Sequence, residues 1–334
     1  MPSAGASSML GGLLDPQARV PSGYEPIHPA VMRQLNRWDV DVFVLGAPGE
    51  PPLLFRESGL AVQDSRVERL LSTIDRRVLV RTKDYYTLSE QLLASLETIQ
   101  DGCHVPDTDR FAILQTAAAA ALESTIPLVN PARFVNASRR ISDHFVRLAE
   151  TSSLSPASVF AIARHDQSAF THATNVCCYS LILAEELGVT DRAQLDEIAL
   201  GALLHDIGMR HVPAEILRKP GALSPREMEV VRKHPQLGYE ELLSTTSLSL
   251  PQMLMAYQHH EHVDGRGYPV GAVRDEIHPW SRLLAVVDVF DSLTGRRPYR
   301  PPFSPEEAMH HLEERSGTQF EKEVVQCWRQ LLQL

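Results

Sequence analysis

Nowhere does this chain run far enough without a polar residue to cross a bilayer. Its most apolar window, residues 111–129, is broken by Gln115, Glu123 and Pro127 and falls short of the roughly 20 apolar residues a spanning helix needs. A soluble protein is expected. Basic residues are in deficit too: 32 Lys and Arg against 42 Asp and Glu give a formal net charge of -10. Without a basic stripe, a nucleic-acid polymer or an anionic membrane surface is excluded as a partner, and an anionic small substrate would need a local Arg cluster. Cysteine is scarce, four in 334 residues, with no CxxC spacing. Vicinal Cys177 and Cys178 lie in an apolar helical run and read as buried thiols, which fits a reducing cytoplasm. The first 14 residues lack the basic start and sustained apolar core of a signal peptide, so no export is expected. What remains is ordinary globular composition, 43% hydrophobic and 22% charged, in a length that suits two domains.

Residues 1–25 are rich in Gly, Ser and Pro and read as a flexible tail. Three short β-branched or aromatic runs follow, at 40–45, 52–55 and 78–82, with a helical stretch at 65–75 between the last two. They predict a small α/β domain. Thr87 with Glu90 forms a capping box for a helix, and two more helices are expected at about 108–124 and 131–150, the Ala117 to Ala121 block serving as a helix contact surface. Nothing in residues 1–150 proposes chemistry. Residues 26–150 are therefore left with a regulatory or dimerising role, through which a homodimer would form, or with that of a structural appendage.

Thr151 to Pro156 marks the boundary to a second domain, 151–334, in which every element reads as helix. One helix spans 170–187; the next is capped by Asp191 with Gln194 and closed at Gly208. Ser224-Pro225-Arg226-Glu227 is a capping box with proline at the first helical position, and Pro251, Pro279 and Pro305 each open a further helix. The fold class is mainly α: an all-α C-terminal domain, a smaller N-terminal α/β domain and connecting helices.

Chemistry concentrates in the second domain. Two adjacent imidazoles end an apolar helix, and a Gly-rich loop follows: His259-His260-Glu261-His262-Val263-Asp264-Gly265-Arg266-Gly267-Tyr268-Pro269. Neutral imidazole is the commonest protein metal ligand, and Gly265 and Gly267 permit close ligand approach. Alone, paired histidines read as a solvated turn. They are not alone. His172 lies early in a helix, His205-Asp206 ends another, and His234 directly precedes Pro235 at a helix end. Asp288 stands among Val286, Val287, Val289 and Phe290, where a carboxylate is costly to bury unless it is paired or binds a cation. His and Asp without thiolates suit borderline to hard divalent metals, and more than four such ligands suggest two ions sharing a bridging carboxylate, an arrangement suited to hydrolysing phosphate esters.

In their order and spacing these residues resemble the HD-GYP subgroup of the HD phosphohydrolase superfamily. The resemblance covers residues 157–334 and rests on the HHExxDGxGYP signature, with support from Lys233-His234-Pro235, Arg282, residues 288–293, Arg296-Arg297-Pro298-Tyr299-Arg300, and Gly317 with Phe320. It implies an enzyme that hydrolyses cyclic di-GMP to linear pGpG and on to GMP, using two divalent ions, iron or manganese. One ion would be held by His172, His205, Asp206 and Asp288. The other would share Asp206 as a bridge and add His234, His259 and His260. Asp206 and Asp291 would be catalytic, Asp291 standing beside the ligands or the substrate. Arg297 and Arg300 match phosphate-contacting positions, while Tyr268 and Gly267 line the substrate cleft.

Two departures stand out. The usual HDIGK reads His205-Asp206-Ile207-Gly208-Met209, so the cation expected beside the scissile phosphate is replaced by a methionine, and neither Arg210 nor His211 is placed to substitute. Ser168 stands where three-metal members carry a Glu, which favours two ions. The Met209 departure supplies a rival expectation, a weak or inactive cyclic di-GMP sensor, and hydrolysis of another cyclic dinucleotide is a third.

Overall fold

The computed structural model describes residues 20–28, 31–34, 38–45, 50–60, 78–101, 105–125, 131–163, 169–217, 219, 221–244, 247–295 and 301–334. These form two compact units, Met1–Ile99 and Gln100–Leu334.

In the first unit, strands β1 (Tyr24–Ile27), β2 (Val42–Val44), β3 (Leu53–Arg56) and β4 (Val78–Arg81) make an antiparallel sheet in the order β1-β4-β2-β3. The two central strands, β2 and β4, carry the buried Val-rich runs, as side chains covered on both faces should. Their register pairs Val42 with Val80 and Val44 with Val78. β1 begins inside the stretch expected to be tail, because Tyr24 packs edge-on against Phe43 with ring centres 5.1 Å apart. A single helical turn, α1 (Val31–Gln34), follows. The helix expected at 65–75 lies outside the described residues. α2 (Tyr85–Asp101) grows directly out of a 3-10 turn, Thr82–Asp84, so Thr87 sits inside its first turn and does not cap it. The helix starts three residues early, and Tyr85 and Leu88 are both buried.

The second unit is helical and begins before residue 151. α3 (Asp107–Thr125) and α4 (Pro131–Thr151) pack in it with the helices that follow, α5 (Pro156–Ala163), α6 (Ala169–Glu186) and α7 (Arg192–Leu204). The apolar stripe of α4, Val135, Ile141, Phe145, Val146 and Leu148, is fully covered, which explains why it cannot stand outside this core. At its edge Arg192 reaches Asp143, Glu150 and Asp196 at 2.7, 2.6 and 3.1 Å. The Ala117 to Ala121 block is buried as the contact surface its composition suggests.

Asp191 caps α7, accepting from the Gln194 amide at 3.3 Å. The helix stops at Leu204, and Gly208 lies beyond it in a 3-10 turn, Ile207–His211, so it does not close the helix. After α8 (Ala214–Leu217), the capping box at Ser224 and Glu227 opens α9 (Pro225–Val231), and α10 (His234–Leu243) starts at the histidine itself. Pro251, Pro279 and Pro305 open α11 (Leu250–Gln258), α12 (Pro279–Thr294) and α13 (Pro305–Glu314), and α14 (Lys322–Leu332) completes the chain. α12 is largely buried: Phe290 packs edge-on with Tyr179 of α6 and Trp328 of α14 at 6.0 and 5.2 Å. Among the described residues no helix is long and apolar enough to cross a membrane. Cys177, Cys178 and Cys327 are buried and unbridged, and burial pushes the first two thiols well up; Cys103 lies outside the described residues.

Candidate metal centre

Five elements converge on one point. α6 brings His172, the end of α7 brings His205 and Asp206, the start of α10 brings His234, the end of α11 brings His259 and His260, and α12 brings Asp288. The approach of the α7 end to α10 depends on glycine. A Cβ on Gly208 would lie 2.0 Å from the His234 carbonyl oxygen and 2.6 Å from the Gly238 nitrogen, so no other residue fits without moving α10.

The side chains form two groups around Asp206. In one, His172 Nε2 lies 3.1 Å from Asp288 Oδ1, and His205 Nε2 lies 3.9 Å from the same oxygen and 3.5 Å from Asp206 Oδ2. In the other, His234 Nε2 and His259 Nε2 stand 3.2 and 3.7 Å from Asp206 Oδ1, with the ring of His260 beside them. Ligand atoms of His172, His205 and Asp206 lie within 4.8 Å of one another, as do those of His234, His259 and His260. The two oxygens of one carboxylate therefore face two different histidine groups.

Hydrogen bonds at the far side of each ring set its tautomer. Nδ1 of His205 donates to the Ala202 carbonyl at 2.7 Å, Nδ1 of His234 to Val231 at 2.8 Å, and Nδ1 of His259 to Ala256 at 3.0 Å. Nδ1 of His172 donates to Asp291 Oδ2 at 2.7 Å. A neutral ring that donates through Nδ1 presents a lone pair at Nε2. The consequences favour a cation. His205 Nε2 is fully buried with no hydrogen-bond partner, and the Nε2 atoms of His234 and His259 face each other at 3.2 Å with no proton to share. Donors each about 2.1 Å from a common ion stand roughly 3 to 3.5 Å apart, close to these separations.

Electrostatics favour a cation at the carboxylates, His259 and His260, and run the other way at His172 and His205, whose rings, against burial, the neighbouring carboxylates raise. Burial alone would raise the Asp206 carboxyl, but His205, His234 and His259 hold it well below the usual range. Burial likewise opposes the ionised Asp288, which His172 keeps low. Burial pushes His259 and His260 below the ordinary imidazole range, which keeps both neutral and available as ligands. For His172 burial acts downward, yet Asp288 and Asp291 together push it up to about 10.

The signature loop is built against this centre. Tyr268 stacks on His260, ring centres 4.8 Å apart, and the Arg232 guanidinium lies 5.5 Å from the Tyr268 ring centre. Gly267 passes so close to the chain that a Cβ would lie 2.3 Å from the His262 nitrogen. The organiser is Glu261. Its buried carboxylate accepts from the backbone amides of Val270, Gly271 and Ala272 at 2.8, 3.2 and 3.0 Å. Neither Glu261 nor Arg232 was given a role from sequence; a carboxylate directly after a ligand pair was the available signal. Arg282 lies within α12 and meets Glu321 Oε2 at 3.3 Å, while Arg274 meets Glu321 Oε1 at 2.9 Å. The backbone of 263–264 bonds to Thr318 and Gln319, which is how the Gly317 to Phe320 stretch supports the loop.

Met209 is half-buried in the 3-10 turn beside Asp206. Arg210 and His211 are both held by Glu241, at 2.8 and 2.7 Å, as expected of residues that do not replace a site cation. Ser168, Arg297 and Arg300 lie outside the described residues.

Residues 156–324 match the HD domain family. The chain belongs to that family. Its signature at 259–269 places it in the HD-GYP branch. Over 171 residues it is 36% identical to "Cyclic di-GMP phosphodiesterase PA4108" of Pseudomonas aeruginosa, covering 51% of this chain and 41% of that one. Over 152 residues it is 38% identical to "3'3'-cGAMP-specific phosphodiesterase 1" of Vibrio cholerae, covering 43% of this chain and 33% of that one. The chain thus spans less than half the length of these relatives. In fold it is similar to Bd1817, a HDG"Y"P protein from Bdellovibrio bacteriovorus, with a TM-score of 0.68, 22% identity, and coverage of 93% of this chain and all of that one. HD phosphohydrolases are metal-dependent, and the donor set here fits a cation on its own chemistry.

Proposed function

We propose that this HD-GYP protein is a cytoplasmic phosphodiesterase that hydrolyses cyclic di-GMP to pGpG or GMP with two divalent ions, iron or manganese. The observation that best supports two ions is the division of Asp206, Oδ2 toward His205 and Oδ1 toward His234 and His259. His172, His205 and Asp288 would hold one ion with Asp206, and His234, His259 and His260 the other. Such a pair, when bound, activates water and stabilises charge on a phosphate. Asp291 fixes the His172 ring, and Tyr268, Gly267 and Arg232 shape one wall of the cleft. Arg297 and Arg300 would orient the dinucleotide phosphates by the planar match of guanidinium to phosphate. No side chain at position 209 supplies a positive charge.

That absence favours a second reading, a sensor that binds cyclic di-GMP without turning it over, and the Vibrio relative keeps a cGAMP in view as substrate. Protein purified anaerobically and reconstituted with iron or manganese separates the readings, with product chromatography after incubation with cyclic di-GMP or 3'3'-cGAMP. Linear product from cyclic di-GMP supports the proposal. Tight binding without product from either ligand replaces it with the sensor, and product from 3'3'-cGAMP alone moves the substrate.

A further inference from the structure

A buried chain of hydrogen bonds runs from the metal centre to a helix outside the family segment. Asp291 Oδ2 accepts from His172 Nδ1 at 2.7 Å, and its Oδ1 accepts from Asn175 Nδ2 at 3.0 Å. Asn175 Oδ1 in turn accepts from Nε2 of Gln115 on α3. His172, Asn175, Asp291 and Gln115 are all at most 9% exposed, so none can turn to water for a substitute partner.

The polarity of this chain follows from its carboxylate. Both Asp291 oxygens act as acceptors, so Asn175 turns its NH2 toward the carboxylate and its carbonyl away. The carbonyl then needs a donor, and Gln115 provides one. Gln115 lies at position 115, well before the family segment at 156–324. We propose that Gln115 is a positioning residue for the metal centre: by satisfying the buried Asn175 carbonyl it anchors the amide whose NH2 holds Asp291, and thereby holds His172 with Nε2 aimed at the ion. The proposal rests on the metal reading above. Without Gln115 the buried Asn175 carbonyl is left without a donor, and the amide shifts to find one, loosening its NH2 from Asp291 Oδ1. The carboxylate then rotates, and the ring it holds rotates with it. α3 thus completes the site from outside the family segment that contains every ligand.

The test uses full-length protein stripped with a chelator and titrated with Co2+ alone, whose visible bands report the ligand field at each step. Gln115→Met removes the amide at similar volume. Gln115→Glu, a second variant should the first not fold, keeps the shape but offers an acceptor where Asn175 needs a donor. Thr116→Val, a neighbour whose hydroxyl bonds only within its own helix, controls for disturbed α3 packing. Outer partners of metal ligands alter affinity by roughly 10- to 100-fold, so one binding step should weaken by about tenfold with altered bands, while the other step and the control hold within about twofold. Equal affinities and unchanged bands in wild type and the Gln115 variants overturn the positioning role and leave the metal reading intact. Weakening of both steps alike, in the control as well, also overturns it by showing a packing effect. Wild-type protein that takes up no Co2+ would instead remove the metal reading itself, and the positioning role with it.

Discussion

Gly208 and His234 meet backbone to backbone: a Cβ on the glycine would sit 2.0 Å from the histidine's carbonyl oxygen. That contact brings the end of α7, with His205 and Asp206, against the first turn of α10. Gly208→Ala should therefore force the two apart and cost about 1 to 3 kcal/mol of stability, as overpacking does elsewhere. Chemical denaturation measures the stability, and metal content should fall for both ions because Asp206 moves from His234. Unchanged stability and metal content would show that the contact relaxes without consequence.

Asp206→Ala should lose both ions, since its two oxygens face different histidine groups. Asp288→Ala should mainly weaken the ion beside His172 and His205, which it meets at 3.1 and 3.9 Å. Elemental analysis of protein purified without chelators should read near zero for the first variant, near one for the second and near two for wild type. Full metal in Asp206→Ala would exclude the bridge.

Glu261→Ala should free the loop at 270–272 without emptying the centre. Three amides lose a charged acceptor, and the buried one, at Ala272, costs about 1 to 3 kcal/mol when left unpaired. Hydrogen exchange at Val270, Gly271 and Ala272 should accelerate on the order of tenfold or more, with KM for the dinucleotide rising more than kcat falls. Unaltered exchange at those amides would deny Glu261 its organising role.

Met209→Lys should raise kcat at unchanged metal content. The lysine would add one cation near the phosphate or leaving oxygen, comparable to the roughly 2.7 to 4 kcal/mol lost when one transition-state donor is removed elsewhere. Each 1.36 kcal/mol is about tenfold in rate, so a wild type lacking that cation is slow and measurable. If both proteins are fully metallated, bind cyclic di-GMP and show no turnover, the sensor reading stands in place of the enzyme.

Acid stability should depend in part on Glu227. Its carboxylate accepts from Lys219 Nζ at 2.6 Å and from the Ser224 amide at 2.7 Å, which pulls it from an ordinary 4.5 down to about 2. A folded value below the unfolded one stabilises the protein above pH 4.5, and that contribution fades as pH falls toward 2. Glu227→Gln should be less stable than wild type at neutral pH, with the gap closing between pH 4.5 and 2. A gap that stays constant through that window would mean the ionised form is not what α9 uses.

The sequence alone determined the local structure of the second unit and the kind of chemistry it carries. Proline and serine at helix starts act within a few residues, so the openings at Pro225, Pro251, Pro279 and Pro305 were legible without a fold. The ligand set was legible because imidazoles at helix ends and a carboxylate in an apolar run are costly patterns with few uses. Tertiary structure decided what depends on close approach between distant segments. Gly208 looked like a helix stop because glycine commonly is one; only the fold shows it facing α10. Glu261 stood in the signature without a task until the backbone of 270–272 turned its amides toward it. α3 and α4 looked like connecting helices, since an apolar stripe says that a helix is covered but not by what. Gln115 looked only like an interruption in an apolar window. Its partner lies 60 residues away, and no periodicity in a sequence encodes a side-chain pairing across that distance.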